Sequence, residues 1–290
     1  MTDVFVALRQ RMPALSKSER RIAELVMEEP ALVVESTITQ LAERCGTSPA
    51  SVARFCRAAG FGGYKEFRIA IAAANSREAA AREIFRVADA EIDAGDSALD
   101  VVTKVAYQEA RAIEETARSL DLEALDAVVA AVRAAPRIDV FGAGSSGLTA
   151  QDLQQKLHRI GIPSFCWADP HLALTSFALT GPGSVAIVIS HSGQTLETNQ
   201  MLALAHEHGA TTVAITNYPD APMGANADLV LATSARESRY RTGAMSSRLA
   251  QMAIVDFLVV RLLQGDFDRA SALLRRTYDA VQAHRLDGGR

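Results

Sequence analysis

Two short runs rich in Gly, Ser and Thr each follow an apolar stretch and precede a helical pattern. They are Gly142-Ala143-Gly144-Ser145-Ser146-Gly147 and Ser190-His191-Ser192-Gly193-Gln194-Thr195. Glycine allows the backbone to approach a ligand closely, while hydroxyls and the free amides at the start of a helix donate hydrogen bonds to an anion. These runs therefore predict a phosphate site that needs no lysine.

Either run alone has a simpler interpretation as a capped turn, because Ser and Thr cap helices routinely. Two such runs, each at the end of a predicted strand, favour phosphate binding instead. The pair Gly142 and Gly144 is weak evidence for a dinucleotide, and we expect no cofactor. The six histidines and three cysteines show no ligand spacing such as His-Glu-x-x-His or Cys-x-x-Cys, which predicts no metal site.

A second set of candidate residues lies near the N-terminus, on a predicted pair of short helices. The first helix follows Thr37 and buries Ile38, Leu41, Ala42 and Cys45, and the second buries Val52, Phe55, Cys56 and Ala59. Gly46-Thr47-Ser48 separates them, and Ser48 can cap the second helix while Pro49 suits its first turn. Two helices joined by a short turn containing Gly are typical of a helix-turn-helix, whose second helix enters the major groove of DNA.

The outer face of that second helix is the candidate DNA-binding surface. The candidate residues are Ser48, Ser51, Arg54, Arg57, Lys65 and Arg68. Residues 45–77 contain five basic side chains and one acidic side chain, a local charge that favours phosphate. An arginine can also bind the edge of a guanine through two hydrogen bonds. The alternative is a helical bundle with an ordinary solvated basic face.

The spacing of apolar residues divides the chain into an all-helical part and an α/β part. We expect a helix-turn-helix domain of about five short helices at residues 1–77 and a helical linker at 78–118. Residues 119–290 should form an α/β domain with C-terminal helices, in which a parallel sheet is covered by helices on both faces. Its strands are predicted at Ile138–Phe141, Val185–Ile189, Thr212–Ile215 and Leu229–Leu231.

Length, charge and cysteine content set the broad class of protein. With 290 residues, 49% of them hydrophobic, the chain can form two domains with separate cores. The net charge of −4 argues against a uniformly basic DNA coat. Cys45, Cys56 and Cys166 are odd in number and far apart, so we expect buried, reduced thiols and a cytoplasmic protein. We find no secretory signal and no apolar run long enough to cross a membrane.

Both halves of the chain resemble one known family. The two glycine- and serine-containing runs resemble the phosphate loops of sugar isomerase (SIS) domains, and residues 15–61 look like the DNA-binding module of RpiR-type regulators. The resemblance implies a regulator of carbohydrate or cell-wall sugar metabolism that binds operator DNA and a phosphosugar. It places Gly144, Ser145, Ser146, Ser190, Ser192, Gly193 and Thr195 around the ligand. It also draws attention to Glu237, which follows the last predicted strand, where similar SIS enzymes place a catalytic carboxylate. In a regulator we expect Glu237 to bind the ligand through hydrogen bonds to sugar hydroxyls.

Glu237 therefore keeps an enzyme hypothesis open, in which the chain is a phosphosugar isomerase or a sugar-acid 6-phosphate etherase. An ordinary ion pair with Arg239 or Arg241 is the simpler interpretation, and we expect no catalysis. A third hypothesis is a regulator that binds a partner protein and no DNA.

The stretch from Ala244 to Leu263 is apolar nearly all round, which predicts a helix buried on several sides. Part of this helix should lie at the interface of a homodimer or homotetramer.

Overall fold

The computed structural model describes residues 3–89, 91–237 and 244–282. The chain divides into two compact units. The first comprises Met1–Ser119 together with Ser234–Ser246, and the second comprises Leu120–Thr233 together with Ser247–Arg290. The segment 78–118 thus belongs to the first unit, as does the short stretch that contains Glu237.

The first unit consists of helices. They are α1 (Val4–Arg11), α2 (Lys17–Glu28), α3 (Pro30–Glu35), α4 (Ile38–Arg44), α5 (Pro49–Ala58), α6 (Tyr64–Phe85) and α7 (Ala98–Ser119). Capping boxes at Ser16 and Thr37 start α2 and α4, and the Ser48 hydroxyl accepts from the Ser51 amide to start α5. The helix starts predicted at Thr37 and Ser48 are therefore confirmed.

The helices α4 and α5 bury the predicted apolar stripe. Leu41, Val52 and Cys56 are fully buried, and the ring of Phe55 meets that of Phe67 edge to face at 5.8 Å between centroids. Between the two helices, Gly46 has a φ of +58°, a conformation that favours glycine. The helix-turn-helix arrangement is therefore present.

Six helices begin within residues 3–77, one more than the approximate number of five that the sequence predicts. The last of them continues to Phe85, into the segment interpreted as linker. This part of α6 lacks a sustained apolar stripe, and Arg82 pairs with Glu78 one turn earlier on the same helix (3.4 Å). Phe85 adds an edge-to-face contact with Tyr107 of α7, at 5.7 Å between ring centroids.

The second unit is built on a five-stranded sheet. Its strands are β1 (Ile138–Gly142), β2 (Ser164–Cys166), β3 (Val185–Ile189), β4 (Thr211–Thr216) and β5 (Leu229–Ala232). All neighbours are parallel, in the order β2-β1-β3-β4-β5. The accompanying helices are α8 (Leu122–Ala134), α9 (Ser145–Arg159), α10 (Pro170–Phe177), α11 (Leu196–Glu207), α12 (Pro222–Ala225), α13 (Ser246–Gln264) and α14 (Phe267–Gln282).

Alternate residues of each central strand enter two different cores, which confirms a sheet covered on both faces. In β3, Ile187 and Ile189 join one cluster with residues of α8, α9 and α13, while Ala186 and Val188 join another with residues of α10 and α11. The strand β2 was not predicted, because it has only three residues. The helix α9 begins at Ser145, earlier than its apolar pattern suggests, so Ser145 and Ser146 lie in its first turn. No helix of the described residues is long and apolar enough to span a membrane.

Candidate functional site

The carboxyl ends of β1 and β3 form the candidate ligand site of the second unit. Gly142 pairs with Ile189 in the parallel ladder, so residues 143–146 and 190–195 leave the sheet side by side. The direction in which the chain winds reverses between these two strands. Ligands of open parallel sheets bind in the crevice at such a point. The two predicted phosphate runs therefore leave adjacent strand ends.

Three glycines shape the first run. A Cβ on Gly142 would lie 2.5 Å from the carbonyl oxygen of Ser146, and one on Gly147 would lie 2.8 Å from that of Gly142. Gly144 has a φ of +57° at the N-cap of α9. The sequence-based prediction rests on Gly142 and Gly144 alone, yet the full spacing is Gly-x-Gly-x-x-Gly. Gly147 is thus a residue that we overlooked, and this spacing was the signal that could have revealed it.

Replacing Gly142 with alanine should destabilise the second unit by about 1–3 kcal/mol, because the new methyl group meets backbone atoms that cannot rotate away. A thermal denaturation curve measures this as a lower Tm. Gly181→Ala is the matched control, since a Cβ there would find only one backbone atom, at 4.0 Å. Equal Tm values for the two variants would mean that the turn at Gly142 is not tightly packed.

The two serines that begin α9 differ in their contacts. Ser146 Oγ accepts a hydrogen bond of 3.2 Å from Gln251 Nε2, and Gln251 is a buried residue of α13. Ser145 Oγ is buried and has no hydrogen-bond partner among the described residues. A buried hydroxyl without a partner costs free energy, so Ser145 marks a position where an external group can complete its hydrogen bonding.

The second run is held by its own polar groups. Ser190 Oγ accepts from the Gly193 amide (3.2 Å) and lies 3.3 Å from Thr195 Oγ1, while Ser192 Oγ accepts from the Gln194 amide (3.2 Å). Gly193 has a φ of +64°, and a Cβ there would lie 2.9 Å from the Cβ of Ala221. Thr195 is at the N-cap of α11, but its side chain makes no capping hydrogen bond. Its hydroxyl therefore remains available to a ligand.

A cavity of about 170 Å³ opens beside the first run. Its lining includes Gly144, Gln151 and Trp167, and Trp167 directly follows β2 in sequence. Glu197, from the first turn of α11, also lines it. The Trp167 side chain is 40% exposed. Gln151 and Trp167 were not predicted as site residues. A predicted strand at β2 would have placed Trp167 at the carboxyl end of a strand. Half-buried Cys166 also lines this cavity, and its burial raises the pKa of the thiol to about 11.

Glu237 does not line this cavity. It belongs to the first unit, where it lines a different cavity with Glu78, Arg111 and Arg236, and where its carboxylate accepts from the Met245 amide at 3.4 Å. Glu237 therefore does not belong to the unit that contains the phosphate runs, although the family resemblance groups it with them. Arg239, Tyr240 and Arg241, its expected neighbours, lie outside the described residues.

The helix-turn-helix presents the candidate DNA-binding residues outward. Arg54 and Arg57 are exposed, while Ser51 is half-buried between Ser48 Oγ (3.0 Å) and Arg54 Nη2 (2.9 Å). This chain of hydrogen bonds orients Arg54 along the first two turns of α5. Arg57 forms no ion pair with any described residue, and therefore its guanidinium is available to an external partner.

The flanking basic residues and the two cysteines of this unit differ in their exposure. Lys65 is exposed in the first turn of α6, and Arg68 is half-buried on the same helix. Cys45 and Cys56 are buried free thiols, and burial raises the pKa of Cys56 to about 12. Both thiols are thus core residues and do not form part of the basic surface.

Both parts of the chain match known family models. Residues 2–78 match the helix-turn-helix domain of the rpiR family, and residues 132–261 match the SIS domain. The chain belongs to the RpiR family of helix-turn-helix transcriptional regulators with a C-terminal SIS domain. It is 34% identical, over 99% of its length and all of the relative, to an HTH-type transcriptional regulator of Caldanaerobacter subterraneus subsp. tengcongensis.

A solved structure and a longer protein are also similar to this chain. The structure resembles that of the Vibrio vulnificus NanR protein complexed with ManNAc-6P, with a TM-score of 0.62, 28% identity, and coverage of 98% of this chain and 100% of that one. The bifunctional protein glk of Paraburkholderia xenovorans is 31% identical over 89% of this chain, which corresponds to 39% of that protein. The RpiR and SIS modules therefore also occur within a longer bifunctional protein.

Proposed function

We propose that this protein is a DNA-binding transcription regulator whose activity is controlled by a phosphosugar bound in the SIS domain. The observation that carries the proposal is the buried hydroxyl of Ser145, which has no partner among the described residues, on one of two runs that leave adjacent strands. The amides that begin α9 and α11 add favourable dipoles for a dianion. Ser145, Ser146, Ser190, Ser192 and Thr195 would surround the phosphate, with Gly144 and Gly193 allowing its close approach.

The body of the sugar would occupy the cavity next to the first run. Trp167 offers a ring face, and Gln151 and Glu197 offer hydrogen bonds to sugar hydroxyls. ManNAc-6P is the first compound to test, because the similar NanR protein is complexed with it. A thermal-shift screen of hexose and amino-sugar phosphates covers the wider class, since a ligand of the native state raises the Tm.

Replacing Ser145 with alanine should weaken phosphosugar binding about tenfold or more, while the Tm of the free protein stays the same or rises. The variant loses a charge-assisted hydrogen bond to the ligand, but it also removes a buried hydroxyl that has no partner in the free protein. Calorimetric titration and thermal denaturation measure the two effects. A lower Tm together with unchanged affinity would show that Ser145 has a structural role only.

The regulator would act on DNA as a homodimer or homotetramer. A single short helix contacts only a few base pairs, so useful specificity requires two helix-turn-helix modules on a two-fold related site. We infer an operator of inverted half-sites, contacted by Ser48, Ser51, Arg54 and Arg57, with Lys65 and Arg68 on flanking phosphates. Footprinting on DNA upstream of the gene, with and without phosphosugar, tests this.

The alternative function is that of an SIS enzyme using Glu237, either an isomerase or an etherase. The proposed regulator needs no catalysis, and incubation with a panel of sugar 6-phosphates should leave every compound unchanged by mass spectrometry. Glu237→Gln is the informative variant. Turnover by the parent that this variant abolishes would establish the enzyme instead, because a carboxamide cannot act as a general base.

A further inference from the structure

A second cavity, in the first unit, is lined by arginine side chains. Its volume is about 400 Å³, and Arg9 of α1, Arg82 of α6 and Arg236 line it together. Glu28 and Glu78 are the acidic residues of the lining. The Glu78 carboxylate already accepts from the Tyr107 hydroxyl (2.5 Å) and pairs with Arg111 (3.3 Å). The cavity therefore contains more positive charge than its own carboxylates neutralise.

Arg9 has unused hydrogen-bonding capacity in this cavity. Its Nη2 donates to Glu115 and lies 3.5 Å from Ser234 Oγ, but its Nη1 is buried without an acceptor among the described residues. Burial, and next the nearby charge of Arg236, lower the pKa of Arg9 to about 10. Arg9 therefore stays protonated at neutral pH, beside a second cation and with a free donor.

Arg82 has a similar deficit, whereas Arg236 is half-exposed. Arg82 interacts with Glu78 Oε1 (3.4 Å) and with the Tyr107 hydroxyl, yet its Nε is buried and has no acceptor among the described residues. Arg236 has a half-exposed side chain whose closest carboxylate oxygen, on Glu115, is 3.9 Å away. Guanidinium groups bind carboxylates and phosphates through pairs of such N–H donors.

We propose that this cavity, which we call the arginine cavity, binds a small oxyanion, a carboxylate or a phosphate group. The anion accepts hydrogen bonds from the guanidinium groups of Arg9 and Arg82 and relieves the repulsion between Arg9 and Arg236. Phe5, Met27 and Pro30 form an apolar part of the lining, which suits an anion with an apolar body. The site is independent of the proposed phosphosugar site, because its residues all belong to the first unit.

Occupancy of the arginine cavity would join three segments of the first unit. Arg9 and Arg82 belong to two of its helices, and Arg236 belongs to the stretch that follows β5 in sequence. The same unit contains the helix-turn-helix. An anion bound here therefore stabilises the DNA-binding unit itself, and its presence should be visible as a rise in the Tm of that unit.

The test uses the full chain and two probes, inorganic phosphate and benzoate, in calorimetric titrations and thermal denaturation. A background variant, Ser145→Ala with Ser190→Ala and Thr195→Ala, removes hydroxyls of the proposed phosphosugar site. We expect saturable binding of at least one probe in both the parent and this background. Saturation by phosphate alone or by benzoate alone identifies which oxyanion the cavity accepts.

Arg236→Gln in the same background should weaken that binding at least tenfold, and Arg118→Gln, an exposed arginine of the same unit, should leave it unchanged. Arg9→Lys serves as a second variant, since it keeps the charge paired with Glu115 but loses guanidinium donors, and it should also weaken binding. Loss of all binding in the triple-hydroxyl background, or binding that neither Arg236→Gln nor Arg9→Lys alters, overturns the proposal. Failure of phosphosugar binding alone would instead count against the proposed phosphosugar site.

Discussion

Replacing both Arg54 and Arg57 with alanine should reduce the affinity for operator DNA about 100-fold or more, because each arginine that contacts a base contributes about 1–3 kcal/mol. Both side chains are exposed on α5, so their loss leaves the buried residues Val52, Phe55 and Cys56 in place. Gel shifts over a series of salt concentrations measure the affinity, on operator and on unrelated DNA.

Arg118→Ala is the control for this experiment. Arg118 is an exposed arginine of the first unit that pairs with Glu114 on α7 and lies outside the helix-turn-helix. Lys65→Ala should behave differently from both, with a uniform loss of affinity on all DNA and a weaker dependence on salt, as expected for a phosphate contact. A double variant that is folded and oligomeric but binds the operator as tightly as the parent would show that α5 is not the recognition helix.

The second large effect concerns the phosphosugar. Ser192→Ala combined with Thr195→Val should weaken its binding about 100-fold, since each lost charge-assisted hydrogen bond costs about 1.5–3 kcal/mol. The Thr195 side chain does not cap α11, so the valine, which keeps the shape of threonine, removes no capping bond from the fold.

Ser184→Ala is the matched control, since Ser184 lies just before β3, at the opposite end of the same strand. Its hydroxyl accepts only a long hydrogen bond of 3.4 Å from the Gly181 amide. The unphosphorylated sugar should bind the parent poorly, and the double variant should bind it no worse than the parent does. Equal affinity of the parent for the sugar with and without its phosphate would contradict the assignment of these runs to phosphate.

The local features of this protein follow from its sequence because they depend on residues only a few positions apart. The caps at Thr37 and Ser48 involve hydrogen bonds from amides three residues away. The apolar runs of the strands and the glycines between strand and helix are likewise local features that can be read from neighbouring residues. A search for the full Gly-x-Gly-x-x-Gly spacing would have included Gly147 as well.

Other features were decided only by the tertiary structure, since they join segments that are distant in the chain. Trp167 lines the ligand cavity because the three-residue strand β2 pairs with β1, as in the partnership of Val140 with Cys166. Arg9 approaches Ser234 across 225 positions, and the stretch containing Glu237 packs with the helical unit. No periodicity or spacing encodes such contacts, because they depend on how complete helices and strands bury their apolar faces against one another.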